Sequence, residues 1–371
     1  MSMKVCHMTS AHPRYDVRIF IKECVSLVNA GYPVTLLVSD GRGDEINKGV
    51  SIKDIGSFSR SRFNRITTVP RSFFMKCLEV GADLYHLHDP ELIPCGLKLK
   101  RKGKKVIYDI HEDVPRQLLS KPYLIPPVLK TIAFAFERYE NHAAKQFNSL
   151  ITATSQIRSR FEKLNPSVVD INNYPISTEL SVNDPTPWAR KKRQVCYIGN
   201  LSIIRGLDEM IEAARLITAG TILLAGNFES SALLERFNRS RSKNIEYIGF
   251  VDRNQVALIM HESMAGLVLF HPAPNHLNSQ PNKLFEYLSA GIPVIASAFP
   301  LWDSLIQGAD CGILVDPQDP SEIARAIEWI FSNPAAAESK GRNGRKAVEQ
   351  KYNWQSEERK LIETYRRLER L

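Results

Sequence analysis

An α/β architecture built on two doubly wound parallel sheets is what this sequence predicts, and two observations carry the prediction. Short β-branched apolar runs alternate with segments of helical period along the whole chain, and a proline-rich stretch interrupts that alternation once near the middle. The length of 371 residues agrees, because a single hydrophobic core stops growing at about 250–300 residues.

In chain order, residues 4–9 read as a strand, 17–30 as a helix and 34–38 as a second strand, which is a βαβ start. An apolar run at 84–87, a helical stretch at 92–102 and strands at 105–110 and 150–153 continue the series. The pattern then breaks at Asn173, Pro175, Asn183, Asp184, Pro185 and Pro187, followed by the basic patch from Arg190 to Arg193, as expected of a linker. Further strands are predicted near 195–198, 221–225, 245–248, 266–270, 293–296 and 312–315, with helices between them and a charged helical stretch over 336–370. The domains expected are therefore 1–174, a linker at 175–193, 194–350, and a helix at 351–371 crossing back to the first domain.

Composition narrows the class. Hydrophobic residues at 43% and charged residues at 24% fit a globular protein. No run approaches the roughly 20 apolar residues that span a bilayer, and the N-terminus lacks a secretory pattern, so a cytoplasmic location is expected. Cys6, Cys24, Cys77, Cys95, Cys196 and Cys311 lie far apart without a Cys-x-x-Cys pair, and read as reduced and structural. The net charge of +9 is concentrated in residues 1–190, with 27 Lys plus Arg against 19 Asp plus Glu. Such a field suits an anionic partner, either a membrane surface or nucleic acid.

The most informative stretch is 281–297, Pro-Asn-Lys-Leu-Phe-Glu-Tyr-Leu-Ser-Ala-Gly-Ile-Pro-Val-Ile-Ala-Ser. A helix begins near Asn282 and stops at Gly291, and Pro293 opens a buried strand. Glu286 stands among apolar neighbours near the helix start. There a carboxylate can take both hydroxyls of a ribose while the helix amides hold a diphosphate. Charge-assisted bonds of this kind are worth about 1.5–3 kcal/mol each. On pattern alone, Glu286 reads equally as a solvated helix residue.

This stretch resembles the donor-binding signature of the retaining family-four (group 1) glycosyltransferases, in which an acidic pair seven residues apart precedes a Gly-x-Pro-Val strand. Glu286 matches the second acid, and the first falls on Asn278, a departure. The resemblance implies the GT-B fold, two Rossmann-like domains with parallel sheets facing a central cleft. It implies donor contacts at Lys283, Leu284 and Val251 and catalytic positions at Glu286, Asn278 and His111. The turn Ile198-Gly199-Asn200-Leu201 and Arg205-Gly206 are similar to the family's Gly-Arg-x4-Lys-Gly phosphate loop. Arg205 stands in the lysine position and Asn200 in place of the expected arginine. His111 ends the strand Val-Ile-Tyr-Asp-Ile at the carboxyl edge, where the family places a His beside the donor sugar. The bland reading of each is an ordinary loop arginine and a satisfied strand-end histidine.

The segment Ser-Ala-His-Pro-Arg-Tyr-Asp-Val-Arg from Ser10 to Arg18 replaces the family's Gly-Gly loop, making Asp16 and Arg18 candidates for acceptor or phosphate contacts. Asp16 reads as well as a helix cap. His86, His88, Asp89 and Glu91 invite a metal reading, but Asp89-Pro90 suits a helix start and the resembled family manages with dipoles and cations, so no metal or other cofactor is expected. Arg60, Arg62, Arg65, Arg71 and Lys76 interleave with Phe58, Phe63, Phe73 and Phe74. With the basic run 98–105 and the apolar stretch 123–136, they suggest the anionic inner face of a membrane. No RNA-binding motif accompanies them, and nucleic acid is not expected. The resemblance thus implies retaining transfer of a sugar from a UDP- or GDP-sugar to a lipid-linked or saccharide acceptor in surface polysaccharide synthesis. A nucleotide-sugar 2-epimerase and a non-catalytic scaffold of the same fold are the alternatives.

Overall fold

The computed structural model describes residues 2–371 except 59–61, 120–125, 178, 181, 183–185, 241, 274, 275 and 278, together with the side chains of 62–66 and 126. The chain forms two compact units, Met1–Asn173 with Trp354–Leu371 (unit 1) and Tyr174–Asn353 (unit 2).

In unit 1 the strands are β1 (Val5–Met8), β2 (Val34–Val38), β3 (Glu45–Asn47), β4 (Val50–Asp54), β5 (Leu84–Leu87), β6 (Lys105–Ile110), β7 (Ser149–Thr152) and β8 (Val168–Asp170). They lie in the order β3-β4-β2-β1-β5-β6-β7-β8, all parallel except the edge strand β3. The β3–β4 hairpin was not foreseen. Its two-residue turn places Lys48 at φ 47° and Gly49 at φ 79°, the two positive angles of a turn whose twist matches antiparallel strands.

Unit 2 contains β9 (Gln194–Ile198), β10 (Thr221–Ala225), β11 (Ile245–Tyr247), β12 (Ala265–Val268), β13 (Val294–Ser297) and β14 (Gly312–Val315). All are parallel, in the order β11-β10-β9-β12-β13-β14. The chain winds outward from β9 in one direction, then returns and winds outward the other way from β12. That reversal opens a crevice at the carboxyl ends of β9 and β12. Every strand of this sheet except β11 and β14 is buried along nearly its whole length, which is why each reads as a continuous apolar run.

Three local findings differ from the sequence expectations. The predicted helix 17–30 is a π-helix over Val17–Cys24 followed by an α-helix over Val25–Asn29. The expected linker packs with unit 2: Tyr174 and Leu180 are buried in its core, and Trp188 lies against it. Of the aromatic residues assigned to a membrane surface, Phe73 is wholly buried, and Phe58 and Phe74 pack on the core of unit 1. Arg60, and the side chains of Arg62, Phe63 and Arg65, lie outside the described residues. All six cysteines are free and buried.

The final helical stretch divides into Pro334–Gln350, in unit 2, and Trp354–Arg370, in unit 1. In the second helix Trp354, Leu361, Tyr365 and Leu368 form one apolar stripe, and all four are buried. Trp354 Nε1 donates to Ser26 Oγ at 3.0 Å. Shaving Leu361 to Ala should therefore weaken unit 1 by about 2–5 kcal/mol. Trp354 is the tryptophan of unit 1, so in a background with Trp188, Trp302 and Trp329 changed to Phe its fluorescence during urea unfolding reads that unit; an unchanged midpoint would contradict the packing described.

Candidate active site

The crevice of unit 2 is lined by the turns that follow β9 and β12. After β9 the backbone turns at Gly199, φ 136°, whose N–H donates to Ala225 O at 2.8 Å. The Tyr197 hydroxyl donates to Asn200 O at 2.8 Å and holds the turn, leaving the Asn200 side chain exposed. A short 3-10 turn, Ile203–Arg205, leads into Gly206 and the helix Leu207–Leu216. Gly206 has φ 78° and packs directly on Leu269 O after β12, a position no side chain could share. His271 N donates to Ile204 O at 2.9 Å, tying the two turns together.

Lys283 enters this crevice from the helix Asn282–Ser289. Its Nζ is sealed from solvent and has no hydrogen-bond partner among the described residues, although its stem is partly exposed. The ammonium lies 3.7 Å from the centroid of the Tyr197 ring and 5.6 Å from that of Phe270. A Cβ at Gly199 would come within 3.0 Å of Nζ, so the missing side chain there makes room for the cation. Burial, and secondarily the charge of Arg205, pushes the Lys283 amine well below its usual range. Arg205 is half-buried, with its guanidinium 5.6 Å from the Phe270 ring. Lys283 and Arg205 thus lie together at the sheet's reversal point.

Glu286, one turn along the same helix, accepts from Arg253 Nη1 at 2.9 Å, and Arg253 Nη2 donates to Glu179 Oε1 at 2.6 Å. Arg253 opens the helix Arg253–Glu262 just beyond the half-buried Val251. Leu284 requires a correction: its side chain is buried in the core and its amide donates to Pro281 O, so neither is available to a donor. Asn278 lies outside the described residues. Not anticipated were Arg253, Glu179, and the pair His271 Nε2 and Glu209 Oε2, 3.0 Å apart. The Phe-His-Pro sequence after β12 was the available signal for His271.

Unit 1 gathers its polar residues at the carboxyl ends of β1, β5 and β6. Asp89 Oδ2 accepts from Thr9 Oγ1 at 2.8 Å and from the amides of Ser10 and Ala11 at 2.6 and 3.3 Å, which fixes the loop after β1. Its Oδ1 lies 3.0 Å from His12 Nδ1. Burial opposes ionisation of Asp89, but His12 and these donors outweigh it and hold the carboxyl well below the usual range. His111 Nε2 lies 2.9 Å from Asp109 Oδ2, and its ring is 5.0 Å from that of His12. Asp16 caps the π-helix, accepting from the amides of Arg18 and Ile19 at 2.9 Å each.

Arg18 also requires a correction. It is buried, with Nε and Nη2 donating to Asp109 at 3.0 and 2.8 Å and Nη1 donating to Ile171 O at 2.8 Å. Those bonds leave it no role as an acceptor or phosphate contact.

Residues 182–347 match the family described as glycosyl transferases group 1, and residues 20–173 match that described as glycosyltransferase family 4. The two halves of the chain are thus each similar to a glycosyltransferase family model. Glycogen synthase from Mycobacterium tuberculosis is 23% identical to it over 232 residues, 58% of this chain and 53% of that protein. D-rhamnosyltransferase WbpZ from Pseudomonas aeruginosa is 22% identical over 276 residues, 72% of this chain and 68% of that protein. The chain thus spans about half the length of the glycogen synthase it matches. HepE from Anabaena, solved in complex with UDP-glucose, aligns with a TM-score of 0.73 at 14% identity, covering 98% of this chain and 99% of that one. The fold of this chain is GT-B.

Burial tends to lower the affinity of His12 for its proton, but Asp89 more than compensates and the net shift is upward. The folded protein then holds a proton that the unfolded chain releases near pH 6.5. The stability contributed is complete below about that pH and is lost as pH rises through the raised folded value. The difference in urea midpoint between wild type and His12→Gln should accordingly be greatest near pH 5.5 and shrink by about pH 8. A difference that grows with pH would refute the pairing.

Proposed function

We propose that this chain is a group 1 glycosyltransferase that moves a sugar, with retention at its anomeric carbon, from a nucleotide-sugar donor to a lipid-linked or saccharide acceptor in surface polysaccharide synthesis. The observation that carries the reading is the unpartnered Lys283 ammonium at the crevice of unit 2. A buried cation without a counter-charge is unfavourable by several kcal/mol, and a diphosphate supplies that charge. Lys283 thereby takes the place of the arginine that Asn200 replaces in the phosphate loop, and Arg205 completes the pair. HepE binds UDP-glucose on the same fold, which supports a nucleotide sugar as the donor.

The chemistry follows from where charge develops. As the glycosidic bond breaks, negative charge grows on the departing diphosphate. Lys283, Arg205 and the N-terminus of the helix Asn282–Ser289 are fixed in advance to stabilise it. Glu286 is placed to take ribose hydroxyls, with Arg253 holding its carboxylate in orientation. No metal is required for this step, because the protein's own cations supply the compensation. Retention rests on the resemblance of residues 281–297 to the retaining family, and the anomeric configuration of the product reads it directly.

A thermal-shift screen of the full chain against UDP, GDP, ADP and CMP tests the donor site. At about 100 times its dissociation constant a ligand specific for the folded state contributes about 2.7 kcal/mol. A selective shift is expected in wild type and its loss in Lys283→Met, whose melting temperature without nucleotide should equal or exceed that of wild type, because an unpaired charge has been removed. A shift undiminished in Lys283→Met would remove Lys283 from the site. No shift with any nucleotide would favour the non-catalytic scaffold, and conversion of donor without acceptor would favour the epimerase.

The acceptor side rests on the helix Pro126–Ala144 of unit 1. Val128, Ile132 and Tyr139 form an exposed stripe along it, with Lys130 and Arg138 on the same helix. Such a surface suits the boundary of an anionic bilayer. Among the described residues no helix is long and apolar enough to cross a membrane. The chain should co-sediment with phosphatidylglycerol vesicles but not with phosphatidylcholine vesicles, and Ile132→Glu should reduce that binding; equal sedimentation with both lipids would count against the assignment.

A further inference from the structure

Parallel pairing sets His7 of β1 beside His86 of β5, and His88 follows one residue beyond the strand on the same face. The π-helix Val17–Cys24 brings Glu23 to these three rings, and the helix Trp354–Arg370 brings Tyr365. The ring centroids lie 4.5 Å apart for His7 and His86, 4.5 Å for His86 and His88, and 5.1 Å for His7 and His88. His7, Glu23 and His86 are fully buried and His88 is 2% exposed.

Hydrogen bonds alone leave this cluster incomplete. Neither oxygen of Glu23 has a hydrogen-bond partner among the described residues, nor does His86 Nε2. Arg18 Nε lies 3.1 Å from Glu23 Oε1, but its N–H is directed to Asp109. Glu23 Oε2 lies 3.9 Å from both His86 Nδ1 and His88 Nε2, too far for hydrogen bonds. His7 Nδ1 and His88 Nε2 are 2.8 Å apart. One donor atom from each of the four residues falls within 4.8 Å of the other three. The edge of a tetrahedron around an ion with bonds of about 2.0–2.1 Å is about 3.3 Å, and the separations of His88 Nε2 from His7 Nδ1 and from Glu23 Oε2, 2.8 and 3.9 Å, bracket it.

The surrounding groups are those that orient metal-bound imidazoles. His88 Nδ1 lies 3.3 Å from Asp109 Oδ2, and Tyr365 Oη lies 3.0 Å from His7 Nε2. For His7 and His88 the far nitrogen is held and the near nitrogen is directed at the cluster; Tyr365 Oη also lies 2.7 Å from His86 Nδ1, which leaves Nε2 as the nitrogen of that ring without a partner.

We propose that His7, Glu23, His86 and His88 bind one divalent transition-metal ion of the zinc type. Three imidazoles and one carboxylate suit zinc or cobalt and not calcium or magnesium, which take oxygen ligands. The site is closed, so the ion's role is to pin the π-helix to the sheet and not to polarise a substrate. It stands independently of the donor site in unit 2. The competing account fills the cluster with protons, as a chain from Asp109 through His88 and His7 to Tyr365.

Metal analysis of the purified full chain separates the two. After stripping with dipicolinate, titration with cobalt(II) should give the intense visible bands of a four-coordinate ion at about one equivalent per chain, and zinc should bleach them. Glu23→Gln and His88→Gln, checked for folding by circular dichroism, should each lose the bands, and Tyr365→Phe should keep them with affinity reduced about 10–100-fold. Wild type that neither retains zinc nor gives these bands overturns the proposal and leaves the proton chain. Bands that persist in both Glu23→Gln and His88→Gln overturn it as well, because the ion then sits elsewhere.

Discussion

Asp109 lies at the carboxyl end of β6 with no exposed surface, and a carboxylate in that position must be neutralised where it stands. Arg18 does so with two parallel N–H bonds and uses its remaining nitrogen on the Ile171 carbonyl. His88 and His111 both turn a nitrogen to the same carboxylate. The ordering of unit 1 around its sheet reversal follows from this one pair. Arg18 anchors the π-helix, Ile171 anchors the segment after β8, and the two histidines take their orientations from Asp109. Removing either charged partner leaves the other buried and uncompensated, a loss of about 3–5 kcal/mol. The backbone is adapted to the pair: Ile21 N donates to Asp16 O five residues back, and that wider turn carries Arg18 and Glu23 to one face.

Unit 2 treats charge the opposite way. Its central cation, Lys283, has aromatic faces around it but, among the described residues, no hydrogen-bond partner. Glu286, on the same helix, is paired with Arg253 and not with Lys283. The Asp109 carboxylate is therefore neutralised within its own unit, whereas unit 2, among the described residues, leaves the Lys283 amine unpartnered at the crevice where α/β sheets bind ligands. That contrast is the physical content of assigning the donor to unit 2.

Much of this was legible in the sequence, and the omissions have identifiable causes. Buried parallel strands read as apolar runs, so β9, β10, β12 and β13 were found closely. The edge hairpin β3–β4 was missed because its alternating, half-exposed residues carry little pattern. The spacing of Val17, Ile19, Phe20 and Cys24 suits an α-helix, and nothing in it reveals the wider turn. Lys283 and Arg205 stood out because a motif isolates them. Arg253 did not, because its bond to Glu286 joins two segments 33 residues apart. His7 falls within the strand predicted over 4–9 and Glu23 within the helix predicted over 17–30, and the sequence singles out neither. Register and the π-helix bring them to His86 and His88, and neither is written locally. Leu284 and Arg18 were misjudged for one reason: motif position says where a residue lies in the chain and not which way its side chain faces.

The division of the chain has a consequence for biosynthesis. Unit 2 is one continuous segment, whereas unit 1 is closed by residues 354–371, which follow all of unit 2 in the chain. A ribosome delivers the sheet of unit 1 first, yet Trp354, Leu361, Tyr365 and Leu368 reach it only after some 180 intervening residues have been made. At about 5–20 residues per second that is a wait of roughly 10–40 seconds. During it the face beneath the missing helix, with His7 and His86, is open to water and to chaperones. The earlier-made half of the protein is thus the later to mature.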